Sequence, residues 1–216
     1  MRFGMVIDLS KCAGCYSCTV ACQQEHFLPS GIFWNRLMIS ETGEYPLVAN
    51  QVYPVLCNHC KDAICVKVCP TRATQQREDG LVWIDSDKCV GCRYCLIACP
   101  YQTRSYNAKE KEYLGIKQGQ TEFGKLGTEV YPHQTGVVIK CNYCMERIDI
   151  GLANSLKPGV DRDATPNCVN TCPTGSRHFG DLDDPNSEVS RLIREHKGQQ
   201  FHPEYGTDPS TYYIRS

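Results

Sequence analysis

No run of apolar residues in this chain of 216 approaches the roughly 20 that a bilayer-spanning helix needs, so direct membrane insertion is not expected. An excess of one charge is missing too. With 23 basic and 24 acidic residues the net charge is −1, which leaves no electrostatic footprint for nucleic acid or anionic lipid and turns the search for partners toward protein surfaces. Aromatic residues make up only 9% and mean hydropathy is −0.39, a thin supply of apolar side chains for this length. The opening MRFGMVIDLSKC has no hydrophobic leader stretch, so any export is expected to depend on another chain. Nor is there a nucleophile paired with a base, a glycine-rich phosphate loop or a metal-hydrolase motif. The chain is expected to make and break no substrate bonds itself.

What the sequence has in excess is cysteine. Sixteen fall into four groups of four, each finishing Cys-x-x-x-Cys. The first group is Cys12, Cys15, Cys18 and Cys22 and the third is Cys89, Cys92, Cys95 and Cys99, both with the spacing that holds cubane iron–sulfur clusters. The second, Cys57, Cys60, Cys65 and Cys69, widens one gap, and the fourth, Cys141, Cys144, Cys168 and Cys172, opens that gap into a long insertion. Closely spaced cysteines wrap a tight loop around a cluster, with backbone N–H groups aimed at its sulfurs to offset the negative charge. Gly14 and Gly91 stand where that backbone must come closest. The last cysteine of each group is expected beyond the loop, at the start of a short helix, where it ligates a neighbouring cluster, so groups must work in pairs. Pro70, Pro100 and Pro173 follow Cys69, Cys99 and Cys172 and stop the helical ladder, whereas Gln23 follows Cys22. Disulfide scaffolds are short and irregularly spaced, and tetrahedral zinc has no use for further cysteines at these offsets. Neither fits the repetition.

The units repeat. MVIDLSKCAGC (Met5 to Cys15) and VWIDSDKCVGC (Val82 to Cys92) are copies of one pattern, an alternating strand entering a ligand loop, and VYPVLCNHC and TGVVIKCNYC lead similarly into Cys57 and Cys141. Strand, loop and short helix together predict an α+β fold of two ferredoxin-like modules nested in one chain, with long loops, a C-terminal helix and an extended tail. Groups two and three, separated by the turn Glu78-Asp79-Gly80, make the inner module, 51–110. Groups one and four pair around it as the outer module, 1–50 and 137–180, with 111–136 as a connecting loop and 181–216 as helix and tail. In that tail Val189, Leu192, Ile193 and His196 share one helical face behind a cap at Asn186 or Ser187. The connections near 23–52, 101–136 and 145–167 are long and polar, as partner-facing loops are.

CVKVCPTRAT, CRYCLIACPYQTR, CPTGSRHFGDLDDPNSEVSRLI and the closing GTDPSTYYIRS carry a resemblance that covers nearly the whole chain. It resembles the iron–sulfur electron-transfer subunits of molybdopterin oxidoreductases related to dimethyl sulfoxide reductase, among them polysulfide, tetrathionate and respiratory arsenate reductases. The resemblance implies four [4Fe–4S] clusters, because Cys92, which some relatives lack, is present. It implies the ligand sets Cys12, Cys15, Cys18 and Cys172; Cys22, Cys141, Cys144 and Cys168; Cys57, Cys60, Cys65 and Cys99; and Cys69, Cys89, Cys92 and Cys95. It further implies a large catalytic subunit holding a molybdenum or tungsten pterin beside the first cluster, and a quinone-linked membrane subunit or soluble carrier beside the last. Co-export with a signal-bearing catalytic subunit, or residence in the cytoplasm, would both suit such a chain. Between Cys144 and Cys168 the stretch MERIDIGLANSLKPGVDRDATPN is longer than usual for this family; Met145 to Gly151 reads as its helix and the piece around Pro158 as a surface loop.

Other residues carry weaker signals. His59 sits inside a ligand loop whose cysteines already suffice, so it reads as a hydrogen-bond donor beside a cluster rather than a ligand. Lys11, Lys88 and Lys140 each precede a cluster cysteine, where positive charge favours the reduced state, though a solvated lysine reads the same way. Two rival functions remain, a freely diffusing polyferredoxin-type carrier and a cluster protein catalysing alone. Near-zero net charge disfavours the first, and the missing acid–base residues the second.

Overall fold

The computed structural model describes residues 1–108, 112–113, 116–117 and 121–215. In chain order the strands are β1 (Phe3–Asp8), β2 (Asn35–Thr42), β3 (Ala49–Leu56), β4 (Thr74–Gln76), β5 (Val82–Ile84), β6 (Arg104–Tyr106), β7 (Glu112–Tyr113), β8 (Ile116–Lys117), β9 (Val138–Lys140), β10 (Arg177–Asp181), β11 (Gln199–Gln200) and β12 (Thr211–Ile214). The helices are α1 (Ser17–Glu25), α2 (Ile64–Lys67), α3 (Tyr94–Ile97), α4 (Glu122–Val130), α5 (Met145–Ala153), α6 (Asn167–Asn170) and α7 (Glu188–Glu195). This is an α+β architecture of small sheets, and none of its described helices is long and apolar enough to cross a membrane.

β1 was expected to alternate, yet all six of its residues are buried. The reason is its place in the sheet. β10 pairs with it antiparallel on one edge, Ile7 opposite Arg177, and β12 pairs in parallel on the other, Val6 opposite Tyr212. One face packs on Phe179, Tyr143, Ile148 and the cysteine-lined interior; the other holds Val6 against Val189, Leu192 and Ile214. A strand covered on both faces has no use for polar alternation. β11 completes that sheet by pairing antiparallel with β12, and the remaining strands form two-stranded pairs: β2 with β3, β4 with β5, β6 with β9, and β7 with β8.

The short helices lie elsewhere than expected. Each runs up to the fourth cysteine of its group instead of starting there: α2 carries Cys65 and ends before Cys69, α3 carries Cys95 and ends before Cys99, and α6 carries Cys168 and ends before Cys172. Proline at the next position forbids continuation, and the chain turns straight into β4, β6 and β10. Lacking that proline, the first group lets α1 run on through Cys22 to Glu25.

Four segments expected as loop or tail have structure of their own. The 23–52 connection contains the β2–β3 hairpin, paired from Asn35 with Leu56 to Thr42 with Ala49. Within 111–136 lies α4, opened by the Thr121 hydroxyl accepting from the Gly124 N–H at 3.0 Å and fixed by Phe123 stacking on Phe27. The insertion after α5 is more than a surface loop. Gly159, with φ +88°, presses so closely on the Phe179 carbonyl that a Cβ would lie 1.8 Å from that oxygen, and Ala164 is fully buried against Gly151 of α5. Residues 181–216 do not trail off as a tail, since β12 is a strand of the β1 sheet. The α7 cap is Ser187, whose Oγ accepts from the Ser190 N–H at 3.2 Å, and its Val189 and Leu192 are core residues worth about 1.5–3 kcal/mol each in buried apolar surface.

Candidate iron–sulfur centres

The cysteines gather in four rings. Cys12, Cys15, Cys18 and Cys172 line a partly open hollow of about 300 Å³. Cys57, Cys60, Cys65 and Cys99 line one of about 350 Å³, and Cys69, Cys89, Cys92 and Cys95 one of about 300 Å³. The other four, Cys22, Cys141, Cys144 and Cys168, are 5–7% exposed and near enough that the last three sulfurs bear electrostatically on Cys22. Every ring thus takes three cysteines from one group and one from another. Among the described residues no three His, Cys, Asp or Glu side chains converge as a single metal ion requires; the thiols surround space instead.

Local backbone geometry explains the loops. The position before the second cysteine has positive φ in all four groups: Gly14 +66°, His59 +43°, Gly91 +68° and Tyr143 +58°. Glycine serves that conformation in two loops. At Gly91 the obstacle to a side chain is the Gly136 carbonyl, 2.1 Å from a built Cβ, and at Gly14 it is the Val52 side chain at 3.3 Å, so neighbouring protein, as well as the hollow, keeps these positions bare. In the other two loops the aromatic rings accept the left-handed backbone and stack on each other, His59 on Tyr143 with centroids 3.9 Å apart.

Residues 48–115 match the family of 4Fe-4S dicluster domains. Over almost its full length the chain is similar to three named proteins. It is 43% identical to a Halobacterium salinarum protein assigned as a dimethyl sulfoxide reductase iron–sulfur subunit, covering 99% of this chain and 79% of that one. It is 39% identical to the iron–sulfur subunit of a Shewanella arsenate respiratory reductase, covering 100% and 97%. With a subunit of the Salmonella typhimurium tetrathionate reductase the identity is 36%, over 99% and 72%. The chain belongs to the iron–sulfur subunits of the dimethyl sulfoxide reductase family.

An iron–sulfur subunit must hold a negatively charged group away from water, and these hollows fit one. Donors to sulfur are in place: the Thr74 N–H lies 3.4 Å from Cys69 Sγ, the Ser176 N–H 3.3 Å from Cys172 Sγ and the Tyr143 N–H 3.5 Å from Cys141 Sγ. Burial pulls the Cys69 and Cys172 thiols up, but these N–H groups and the Thr71 and Thr174 hydroxyls outweigh it and the net shift is downward. Deeper in, burial wins. It pushes Cys60 and Cys141 up to about 12, and Cys22 and Cys144 well above the usual thiol range, so iron must displace those protons. One polar group in the hollow of Cys57, Cys60, Cys65 and Cys99 is unsatisfied: Arg104 lines it and has a buried Nη2 without a hydrogen-bond partner, a donor free to answer cluster sulfur.

His59 is fully enclosed. Its Nδ1 accepts from the Val82 N–H at 2.9 Å and its Nε2 meets the Cys141 carbonyl at 3.1 Å, which fixes the proton on Nε2. Of the three lysines, Lys11 and Lys88 are exposed and paired with Asp8 and Asp85, whereas Lys140 is buried. His26 went unnoticed in the sequence. Its ring lies 3.2 Å from Cys144 Sγ, with Trp34 and Tyr131 packed beside it, and burial first, then His133 and Arg147, hold its pKa near 3. Nothing in the spacing of His26 from Cys22 marks it. Arg104 and Arg177 did leave a trace: both follow the last cysteine of their groups by the same interval, in CPYQTR and CPTGSR.

Proposed function

We propose that this chain relays single electrons between a molybdopterin catalytic subunit and a quinone-linked or soluble redox partner, through four [4Fe–4S] clusters held in two nested ferredoxin-like modules. The inner module spans 51–110. The outer one takes 1–50 and 137–180, with 111–136 between them and 181–216 closing its sheet. In this reading Cys12, Cys15, Cys18 and Cys172 ligate the first cluster, Cys22, Cys141, Cys144 and Cys168 the second, Cys57, Cys60, Cys65 and Cys99 the third, and Cys69, Cys89, Cys92 and Cys95 the fourth. The observation that carries it is the mixing of cysteine groups in every ring of thiols, which is how two-cluster ferredoxins cross-ligate.

When bound, each cluster takes up and gives off one electron at a potential set by charge, hydrogen bonds and exposure. The chain fixes those surroundings. N–H and O–H donors of Thr71, Thr74, Thr174 and Ser176 face the cross-ligating sulfurs of Cys69 and Cys172, and the His59–Tyr143 stack joins the second ligand loop to the fourth. Substrate contacts belong to the catalytic subunit, as the variety of reductases among the relatives suggests. Co-export with such a subunit is the localisation this reading favours.

Anaerobically purified complex is expected to contain about sixteen irons per copy of this chain, four for each of four cubanes, with matching acid-labile sulfide. About eight irons, or stoichiometric zinc, would sink the assignment. Pairing is tested by paramagnetic resonance: Cys172→Ser should alter the signal that Cys15→Ser alters and spare the one altered by Cys92→Ser. A common effect of Cys172→Ser and Cys144→Ser that Cys15→Ser does not share would mean that each group keeps its own cubane.

A further inference from the structure

Each gap between neighbouring rings of thiols contains one buried cation. Arg177, 4% exposed, opens β10 and lines the hollow of Cys12, Cys15, Cys18 and Cys172. Its guanidinium also bears electrostatically on Cys168 of the next ring, while Asn35 Oδ1 at 2.9 Å and Met5 Sδ at 3.6 Å hold it. Lys140, 3% exposed, closes β9. Its ammonium donates to the carbonyl of Cys141, in the second ring, at 2.7 Å and to that of Val82, which lines the third hollow. Arg104, 6% exposed, opens β6 opposite Lys140 and lines that third hollow. Its Nη1 donates at 3.3 Å to Thr74, a residue lining the fourth.

None of the three forms an ion pair with a carboxylate among the described residues. A buried cation so placed is strongly unfavourable unless an anion answers it. The anions are the clusters themselves, negative when oxidised and more so when reduced. A cation between two of them favours an added electron on either, and offsets the repulsion between neighbours that are both reduced. Its placement is repeated: Arg104 and Arg177 each open the strand that follows a Cys-Pro turn, and Thr74, at the same place after Cys69, is the seat of Arg104.

We propose that Arg177, Lys140 and Arg104 are a ladder of fixed counter-charges, one in each gap of the four-cluster row, that raises the reduction potentials of the two clusters flanking it. The proposal rests on the ring assignment above. Each is a positioning residue for electrons.

The test is a potentiometric titration of the intact complex followed by paramagnetic resonance, with signals assigned through cysteine variants. Arg104→Gln should lower the midpoints of the clusters of Cys57 and Cys89, each by at least tenfold in the one-electron equilibrium, about 59 mV, and leave those of Cys12 and Cys141. Arg177→Gln should do the reverse, and Lys140→Gln should move the clusters of Cys141 and Cys57. Arg104→Lys and Arg177→Lys keep the charge and should hold the midpoints. Glutamine variants with full iron and unmoved midpoints would overturn the ladder. If a glutamine variant fails to load iron, the charge-keeping variant at that position, Arg104→Lys, Arg177→Lys or Lys140→Arg, decides: unchanged midpoints support the ladder, and a tenfold shift overturns it. Failure of the ring assignment reads differently, as Cys172→Ser altering the signal of Cys144.

Discussion

At the scale of single residues, four left-handed positions decide whether a ligand loop can close. At Gly91 an added methyl group meets two obstacles, a backbone with φ +68° and the Gly136 carbonyl. Gly91→Ala should therefore cost about 1–2 kcal/mol from the left-handed conformation alone, and more for displacing that carbonyl, seen as a lower melting temperature and iron loss from the fourth cluster. Gly14→Ala carries the same left-handed cost at φ +66° but meets only the Val52 side chain rather than a carbonyl, and should lose less. Equal losses in the two variants would show that the Gly136 contact is immaterial. Cysteine and glycine were legible in the sequence because covalent reach and φ are local matters. The difference between Lys140 and its namesakes Lys11 and Lys88 was not, since all three stand in the same place relative to a cysteine. Only the pairing of β9 with β6 puts the first of them indoors.

Secondary elements show how proline punctuates this chain. The motif predicted a helix starting at each fourth cysteine, and its true position in groups two to four, just before that residue, follows from the same Pro70, Pro100 and Pro173 read more strictly. Strand partners were harder to read, because β1 takes its neighbours from residues 177–181 and 211–214 and no local pattern announces so distant a pairing. β12 also supplies Thr211, whose hydroxyl meets Tyr143 Oη at 2.6 Å, and Tyr213, whose hydroxyl donates to the Pro54 carbonyl at 2.9 Å. Deleting 207–216 should accordingly lower the melting temperature and the iron content of the complex. Shortening the β2–β3 turn around Tyr45 and Leu47, which are 93% and 84% exposed, should leave the iron content unchanged. If the deletion kept all its iron, β12 would be dispensable to the cluster-bearing core.

For the molecule as a whole, the proposed ladder makes the four rings a row with two ends. In the proposed reading the ring of Cys12, Cys15, Cys18 and Cys172 would face the catalytic subunit and the ring of Cys69, Cys89, Cys92 and Cys95 would be distal. Around the latter Cys92 is exposed, and so are Val90, Tyr94 and Ile97. Cys92→Ser should abolish turnover with the physiological donor or acceptor while sparing activity with a small dye that exchanges electrons at the catalytic subunit. Loss of both activities in an assembled complex would refute this direction, and retention of both would put the distal cluster off the path.

The parallel pairing of β1 with β12 also sets a timetable. β1 leaves the ribosome well before β10 and β12, the strands that flank it, and its edges find partners only after about 170–200 further residues have been made, roughly 10–40 s later at 5–20 residues per second. The Cys57 to Cys99 region needs no such delay, since its cysteines lie close together in the chain. Iron loading should therefore begin with the second and third cysteine groups during synthesis and finish with the first and fourth. A half-made chain would hold its first three cluster cysteines without Cys172, their late-arriving fourth. That interval is when oxygen or a mismatched metal has its best opportunity to spoil the subunit.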